Sequence, residues 1–137
     1  MNKILIDTNI ILDIALDRKP FVKKSIEFIR LIVKNNIKAF VTATTVTDIY
    51  YITQKKTGHI KTIGFLKNLF MFVKIAGVDT VSILNALNSN MNDFEDAVQC
   101  ETAKQNSIPI IITRNQSDFK DSGLKVFSPE DFINSNI

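Results

Sequence analysis

The sequence contains a single cysteine, Cys100, and a single histidine, His59. One thiol excludes an intramolecular disulfide and any zinc site built from several cysteines. One imidazole excludes a histidine-rich metal centre, and a Ser-His-Asp arrangement would rest entirely on His59 in its Thr-Gly-His segment. Long apolar runs are also missing. Lys3-Ile4-Leu5-Ile6 is cut short by Asp7, unlike the apolar core of a signal peptide, and no stretch approaches the ~20 residues that cross a bilayer. A soluble cytoplasmic protein with no membrane association is therefore expected. Repeats, linkers and low-complexity tracts are absent too, so residues 1–137 are expected to form one domain.

What is present is ordinary for a globular chain: 45% hydrophobic residues, 23% charged residues and a net charge of +3. That mild basic excess is compatible with a polyanionic partner without requiring one. Short β-type runs alternate with helical periodicity. Strands are expected at 4–6, 39–41, 74–78, 109–113 and 126–127. Helices are expected at 8–16, 22–33, 44–58, 60–72, 81–87 and 93–105, with Ser128-Pro129-Glu130 opening a last one. Near-continuous apolar strands alternating with helices imply an α/β fold, a parallel sheet covered on both faces as a three-layer sandwich.

In such sheets ligands gather outside the carboxyl ends of the strands. Asp7 follows the first strand, Thr42 to Thr45 the second, and Thr113-Arg114-Asn115 the fourth. Asp7 also suits a helix N-cap. Asp48, one turn into its helix, and Asp93 suit a helix macrodipole. Asp93 and Asp96 share a helix face, leaving Glu95 to point away. Asp96 lies deeper, beside Ala97 and Cys100, where an uncompensated carboxylate needs a counter-charge or a metal. Converging carboxylates with no imidazole or thiolate suit a hard divalent cation, Mg²⁺ or Mn²⁺. Such a site can activate water for attack at a phosphoryl group, and crowding should raise the pKa of at least one member. Spacing alone does not name the substrate.

The residues themselves resemble a known family. Ile4-Leu5-Ile6-Asp7-Thr8-Asn9 is similar to the opening strand and Asp-Thr-Asn signature of PIN domains. Asp93-Phe94-Glu95-Asp96-Ala97, then Ala103, then Ile111-Ile112-Thr113-Arg114-Asn115 and Asp118-Phe119, resemble that family's second half, in the same order and at matching intervals. The resemblance implies an α/β/α sandwich with a mostly parallel five-stranded sheet and a Mg²⁺- or Mn²⁺-dependent ribonuclease acting on RNA phosphodiesters. Small single-domain members are often VapC-type toxins, so an antitoxin partner and a homodimer are implied as well. By the same resemblance Asp7, Asp48 and Asp96 are the catalytic and metal-binding acids. Asn9 and Thr113 brace the site, with Asp93, Asn115 and Asp118 supporting it. Two departures stand out. Asp48 is one methylene shorter than the family's usual glutamate, and Asn115 occupies the position of a frequent fourth acid. They leave open a non-catalytic nucleic-acid-binding module with a decayed metal site.

Other residues carry alternative readings. Arg114 either meets substrate phosphate bidentately or pairs with Asp118 or Glu130. Lys55, Lys56, His59 and Lys61 form either an RNA-tracking rim or a solvated helix end, and Tyr50 and Tyr51 either stack on bases or join the core. Asp13 and Asp17 are expected to face solvent, and Cys100 to be a packing residue. Phe65, Leu66, Leu69, Phe70 and Phe72 are either core or an interaction surface. A phosphoryl-transfer domain of dehalogenase or receiver type also begins with an Asp after its first strand. The second acid that a dehalogenase needs is replaced here by Asn9, and the early acid pair of a receiver is absent.

Overall fold

Isoleucine and valine dominate the short runs that become strands, where branched side chains fit a pleated, buried surface. The computed structural model describes residues 3–135. Its strands are β1 (Lys3–Ile6), β2 (Lys38–Thr42), β3 (Val73–Ala76), β4 (Ile110–Ile112) and β5 (Lys125–Phe127). They form one sheet in the order β3-β2-β1-β4-β5, with every neighbouring pair parallel. The helices are α1 (Thr8–Ala15), α2 (Val22–Asn35), α3 (Ala43–Thr57), α4 (His59–Leu69), α5 (Thr80–Leu87), α6 (Phe94–Gln105) and α7 (Pro129–Ile133), with a 3₁₀ turn at Gln116–Phe119.

The period-2 geometry of the strands sorts side chains into two cores. Ile4, Ile6, Ile110 and Ile112 pack with Ile10, Phe28, Ile32, Ile49, Leu66 and Phe132. Leu5 and Ile111 point the other way, to Cys100, Ala103 and Phe119. Helices α1 to α4 and α7 therefore cover one face of the sheet, and α6 the other. α5 lies on α6 through Ala86, Ala97 and Val98. This is the expected three-layer α/β sandwich, with the sheet parallel throughout. Among the described residues no helix is long and apolar enough to cross a membrane.

Local chemistry sets the boundaries. Thr42 caps α3, its hydroxyl accepting from the Thr45 N–H at 3.2 Å. Gly58, with φ of 84°, turns the chain directly from α3 into α4, a conformation that a side chain would strain. The Asp79 carboxylate accepts from the Ser82 N–H at 2.8 Å and starts α5 at Thr80, which ends the preceding strand earlier than the apolar run 74–78 implied. Most of the 65–72 apolar stripe is core: Leu66 and Leu69 are buried, Phe65 and Phe70 pack against them, and Phe72 is exposed.

The strand order fixes where a site can lie. The chain lays β2 and β3 on one side of β1, then returns to place β4 and β5 on the other. The crevice between diverging connections opens at the carboxyl ends of β1 and β4. Those ends are followed by Asp7 and Thr113.

Candidate active site

Asp7 leaves the sheet as the N-cap residue of α1 without capping it through its side chain. Its backbone N–H still donates to Ile112 O at 2.9 Å, which ties it to the end of β4. The carboxylate, only 4% exposed, is held from two sides. Gln99 Nε2 donates to Oδ1 at 2.9 Å, and Thr113 Oγ1 donates to Oδ2 at 2.8 Å. Thr113 Oγ1 in turn accepts from the Asn115 backbone N–H at 3.0 Å. Asp7 is thus a clamped group whose capping potential is unused.

Asp48 arrives from the next helix through a chain of hydroxyls. Thr8 and Thr45 share a hydrogen bond of 2.7 Å, and Thr42 Oγ1 donates to Thr45 Oγ1 at 3.0 Å. These contacts pin the first turns of α1 and α3 together, and Asp48 follows Thr45 by about one helical turn. Asp7, Thr8, Asn9, Leu12, Asp48, Ile52, Glu95, Asp96 and Gln99 line one open cleft of about 180 Å³. The structure therefore brings Asp7, Asp48 and Asp96 together, with Asn9 beside them.

The α6 contribution differs from the sequence expectation. Asp93 is the N-cap, its carboxylate accepting from the Asp96 N–H at 3.0 Å, so it stands outside the cleft. Glu95, expected to point away, lines the cleft opposite Asp48. With Asp93 spent as cap, the inward positions are 95, 96 and 99, related by i,i+3 and i,i+4 spacing. Gln99 was the residue that sequence reasoning missed. Its place one turn after Glu95 and Asp96 was the available signal. Partial burial, followed by the charge of Asp48 and a hydrogen bond with it, pushes the Glu95 carboxyl up.

Asp96 is half-buried, and its carboxyl is pushed up to about 7, first by desolvation and then by the charges of Asp93, Asp7, Asp118 and Glu95. Asp118 acts from outside the cleft, across an open groove of about 1190 Å³ that Asp93, Asp96, Ser117 and Asp118 share with the 88–92 loop. Asn115 contributes its backbone N–H, while its side chain lines neither the cleft nor the groove.

Arg114 is engaged elsewhere. Its Nε and Nη2 donate to Asp13 at 2.8 and 3.4 Å, and its guanidinium lies over the Phe21 ring, 4.1 Å from the centroid. Asp13, expected at the surface, is fully buried, with Arg18 3.6 Å away as a second cation. A helix-period reading places Asp13 one turn from Asn9 and Ile10, on the side of α1 that meets the β4 loop, and only the tertiary fold brings in its partner. Asp17 is exposed, as expected. His59 Nδ1 hydrogen-bonds Tyr50 Oη at 2.7 Å and lines neither cavity. Cys100 is buried, and that burial pushes its thiol up to about 12, consistent with a packing residue.

Among the described residues Asp7, Asp48, Glu95 and Asp96 make no ion pair. Nor do any three acid, histidine or cysteine side chains among them stand close enough to hold a metal ion as they are placed. The donor set is nevertheless oxygen-only and anionic, and its members push up the pKa values of Glu95 and Asp96. That chemistry fits a hard divalent cation. Thr113→Val tests how much the clamp on Asp7 contributes to stability. Loss of the hydroxyl unties one Asp7 oxygen and is expected to cost about 1–2 kcal/mol in a urea melt. A melt indistinguishable from the wild type would mean that the clamp holds nothing.

A model of the PIN-domain family matches residues 3–117. Ribonuclease VapC1 of Aquifex aeolicus (strain VF5) is 24% identical over 135 residues, spanning 95% of this chain and 92% of that protein. The DNA-bound VapBC structure from Salmonella typhimurium is similar with a TM-score of 0.71 at 14% identity, over 94% of this chain and 99% of that one. A toxin-antitoxin complex from Klebsiella pneumoniae gives 0.66 at 17% identity, over 91% and 96%. Structural likeness at such identities speaks for the fold.

Proposed function

This chain belongs to the PIN-domain family, and on that premise we propose that it is a Mg²⁺- or Mn²⁺-dependent endoribonuclease that hydrolyses RNA phosphodiester bonds in its acidic cleft. The observation that carries the reading is the set of four carboxylates, from Asp7, Asp48, Glu95 and Asp96, lining one cleft at the switch point of the sheet with no ion-paired cation among the described residues. The name of the Aquifex aeolicus relative, a ribonuclease, supports RNA as the substrate.

A bound divalent cation would neutralise this charge and polarise the scissile phosphate. The chain's own residues supply the rest. Gln99 and Thr113 hold the Asp7 carboxylate in one orientation, so no side-chain reorganisation is needed there when substrate arrives. Asp48 and Glu95 line the same cleft, so the shorter Asp48 is joined there by a second carboxylate, one that burial and then the charge of Asp48 push up. Asp96, whose carboxyl lies near 7 while the cleft holds only its own acids, would be kept ionised by a bound cation and would then add its charge to those that hold it. Arg114 stays on Asp13, outside the cleft.

An antitoxin and a second copy of the chain are the proposed partners. The description of the Klebsiella pneumoniae relative as a toxin-antitoxin complex supports the first. Val81, Leu84 and Leu87, exposed along one side of α5, offer apolar surface for either.

The test is cleavage of an end-labelled single-stranded RNA pool. Fragments are expected with Mn²⁺, none with EDTA, and recovery when Mn²⁺ is restored in excess. Fragments that persist in EDTA would remove the cation from the reaction. Mn²⁺ binding without cleavage of any RNA offered would favour the non-catalytic binding module.

A further inference from the structure

Four buried side-chain polar atoms among the described residues lack a hydrogen-bond partner: Thr53 Oγ1, Ser82 Oγ, Thr102 Oγ1 and Gln99 Oε1. Of these, Gln99 alone belongs to a residue that lines the acidic cleft. The orientation of its amide is settled by its neighbour. Nε2 donates to the Asp7 carboxylate at 2.9 Å, and turning the amide over would set oxygen against oxygen. Gln99 is only 4% exposed, so bulk water does not serve its carbonyl. A buried acceptor without a donor is unfavourable and asks for an explanation.

Asn115, which by resemblance holds the position of a frequent fourth acid, has its side chain outside the cleft. Gln99 does line it, with its buried carbonyl unpartnered, on the same helical face as Glu95 and Asp96. We propose that Gln99 is the neutral oxygen donor of the site: its amide nitrogen fixes Asp7, and its carbonyl oxygen meets the divalent cation or a water of that cation's hydration shell. This rests on the cation-dependent reading above. A neutral donor suits the place, because a further carboxylate beside Asp7 would add repulsion to a cleft that already raises Glu95 and Asp96, while a carbonyl ligates a hard cation without adding charge.

The experiment is titration of the purified protein with Mn²⁺ by calorimetry, with no RNA present and with thermal melts alongside. Gln99→Met keeps the length of the side chain and removes both polar functions. Its Mn²⁺ affinity is expected to fall ~10–100-fold, the range for residues that orient metal ligands. Gln99→Glu restores an oxygen but no donor. Its metal-free melting temperature should drop while its Mn²⁺ affinity equals or exceeds that of the wild type. Asn115→Ala should bind within about twofold of the wild type, because its backbone N–H is retained. Wild-type affinity in Gln99→Met overturns the proposal and leaves the cation site standing. Equal weakening in Gln99→Met and Gln99→Glu reduces Gln99 to a clamp on Asp7 and overturns the ligand role. No Mn²⁺ binding by the wild type overturns the cation-dependent reading itself. If Gln99→Met fails to fold, Gln99→Glu carries the decision: affinity at or above that of the wild type supports the ligand role, and weakened affinity overturns it.

Discussion

Replacing Asp96 with asparagine is expected to abolish most RNA cleavage and, at the same time, to raise the melting temperature of the metal-free protein. The catalytic loss should be on the order of 10²–10³-fold, the scale for removing one preorganised group that stabilises charge in an active site. The gain in stability follows from the proton balance. The Asp96 carboxyl moves from 3.8 to about 7 on folding, because burial and its acidic neighbours disfavour the charged form. Below pH ~4 it is protonated in folded and unfolded chains alike and contributes nothing. As pH rises from ~4 to ~7 the unfolded chain ionises while the folded one keeps its proton, so stability falls across that window and the deficit is constant above it. Unscreened, the shift corresponds to about 4 kcal/mol. A half-buried group recovers most of that from solvent, which leaves roughly 1–2 kcal/mol. The first turn of α6 favours an acid by ~0.3–1 kcal/mol, which offsets part of the gain. The net expectation for Asp96→Asn is about 1 kcal/mol, or roughly 2–6 °C at pH 8, vanishing near pH 4. A melting temperature at pH 8 below that of the wild type would mean that Asp96 is compensated by a partner.

Arg114→Ala should be among the most destabilising single changes outside the apolar core. Asp13 is fully buried, and among the described residues Arg114 supplies both hydrogen bonds to its carboxylate. Removing the guanidinium strands a carboxylate in the interior, a change of about 3–5 kcal/mol where no other cation remains. Arg18, at 3.6 Å, moderates the loss, so roughly 3 kcal/mol is expected in urea denaturation. Arg18→Ala should cost only about 0–1 kcal/mol, because it is the more exposed and more distant partner. Asp13→Leu combined with Arg114→Met should recover most of the loss, since an apolar pair of similar volume carries no desolvation penalty. Lysine is no substitute for Arg114, because it offers neither the fork nor the stacking on Phe21. Loss of less than ~1 kcal/mol in Arg114→Ala would show that water reaches Asp13.

The two cases mark what sequence can and cannot convey. The strands were legible because Ile4–Ile6 and Ile110–Ile112 are buried on both faces and so uniformly apolar, and their alternation with helices already implied the layered sheet. The acids at strand ends were legible for the same reason: Asp7 interrupts an apolar run at the place where α/β sheets open to ligands. Long-range partners were not. Asp13 looks like any acid on an amphipathic helix until Arg114, far along the chain, is folded against it. Glu95 and Asp93 exchanged roles because Asp93, as the N-cap, has extended backbone, so the helical face it was expected to share with Asp96 does not include it. Gln99 carries no charge, so neither composition nor charge pattern marks it, although its amide makes one of the two hydrogen bonds that fix Asp7.

The central claim is that the cleft of Asp7, Asp48, Glu95 and Asp96 is a divalent-cation site, and the most direct test is the Mn²⁺ dependence of the melting temperature, with wild type and Asp96→Asn side by side and no RNA present. At a hundredfold excess over its dissociation constant a ligand stabilises the fold by about 2.7 kcal/mol. The account therefore predicts an upward shift of roughly 5–12 °C for the wild type, a much smaller one for Asp96→Asn, and return to the starting value on adding EDTA. A wild-type melting temperature unmoved by saturating Mn²⁺, or the same shift in both proteins, would contradict it.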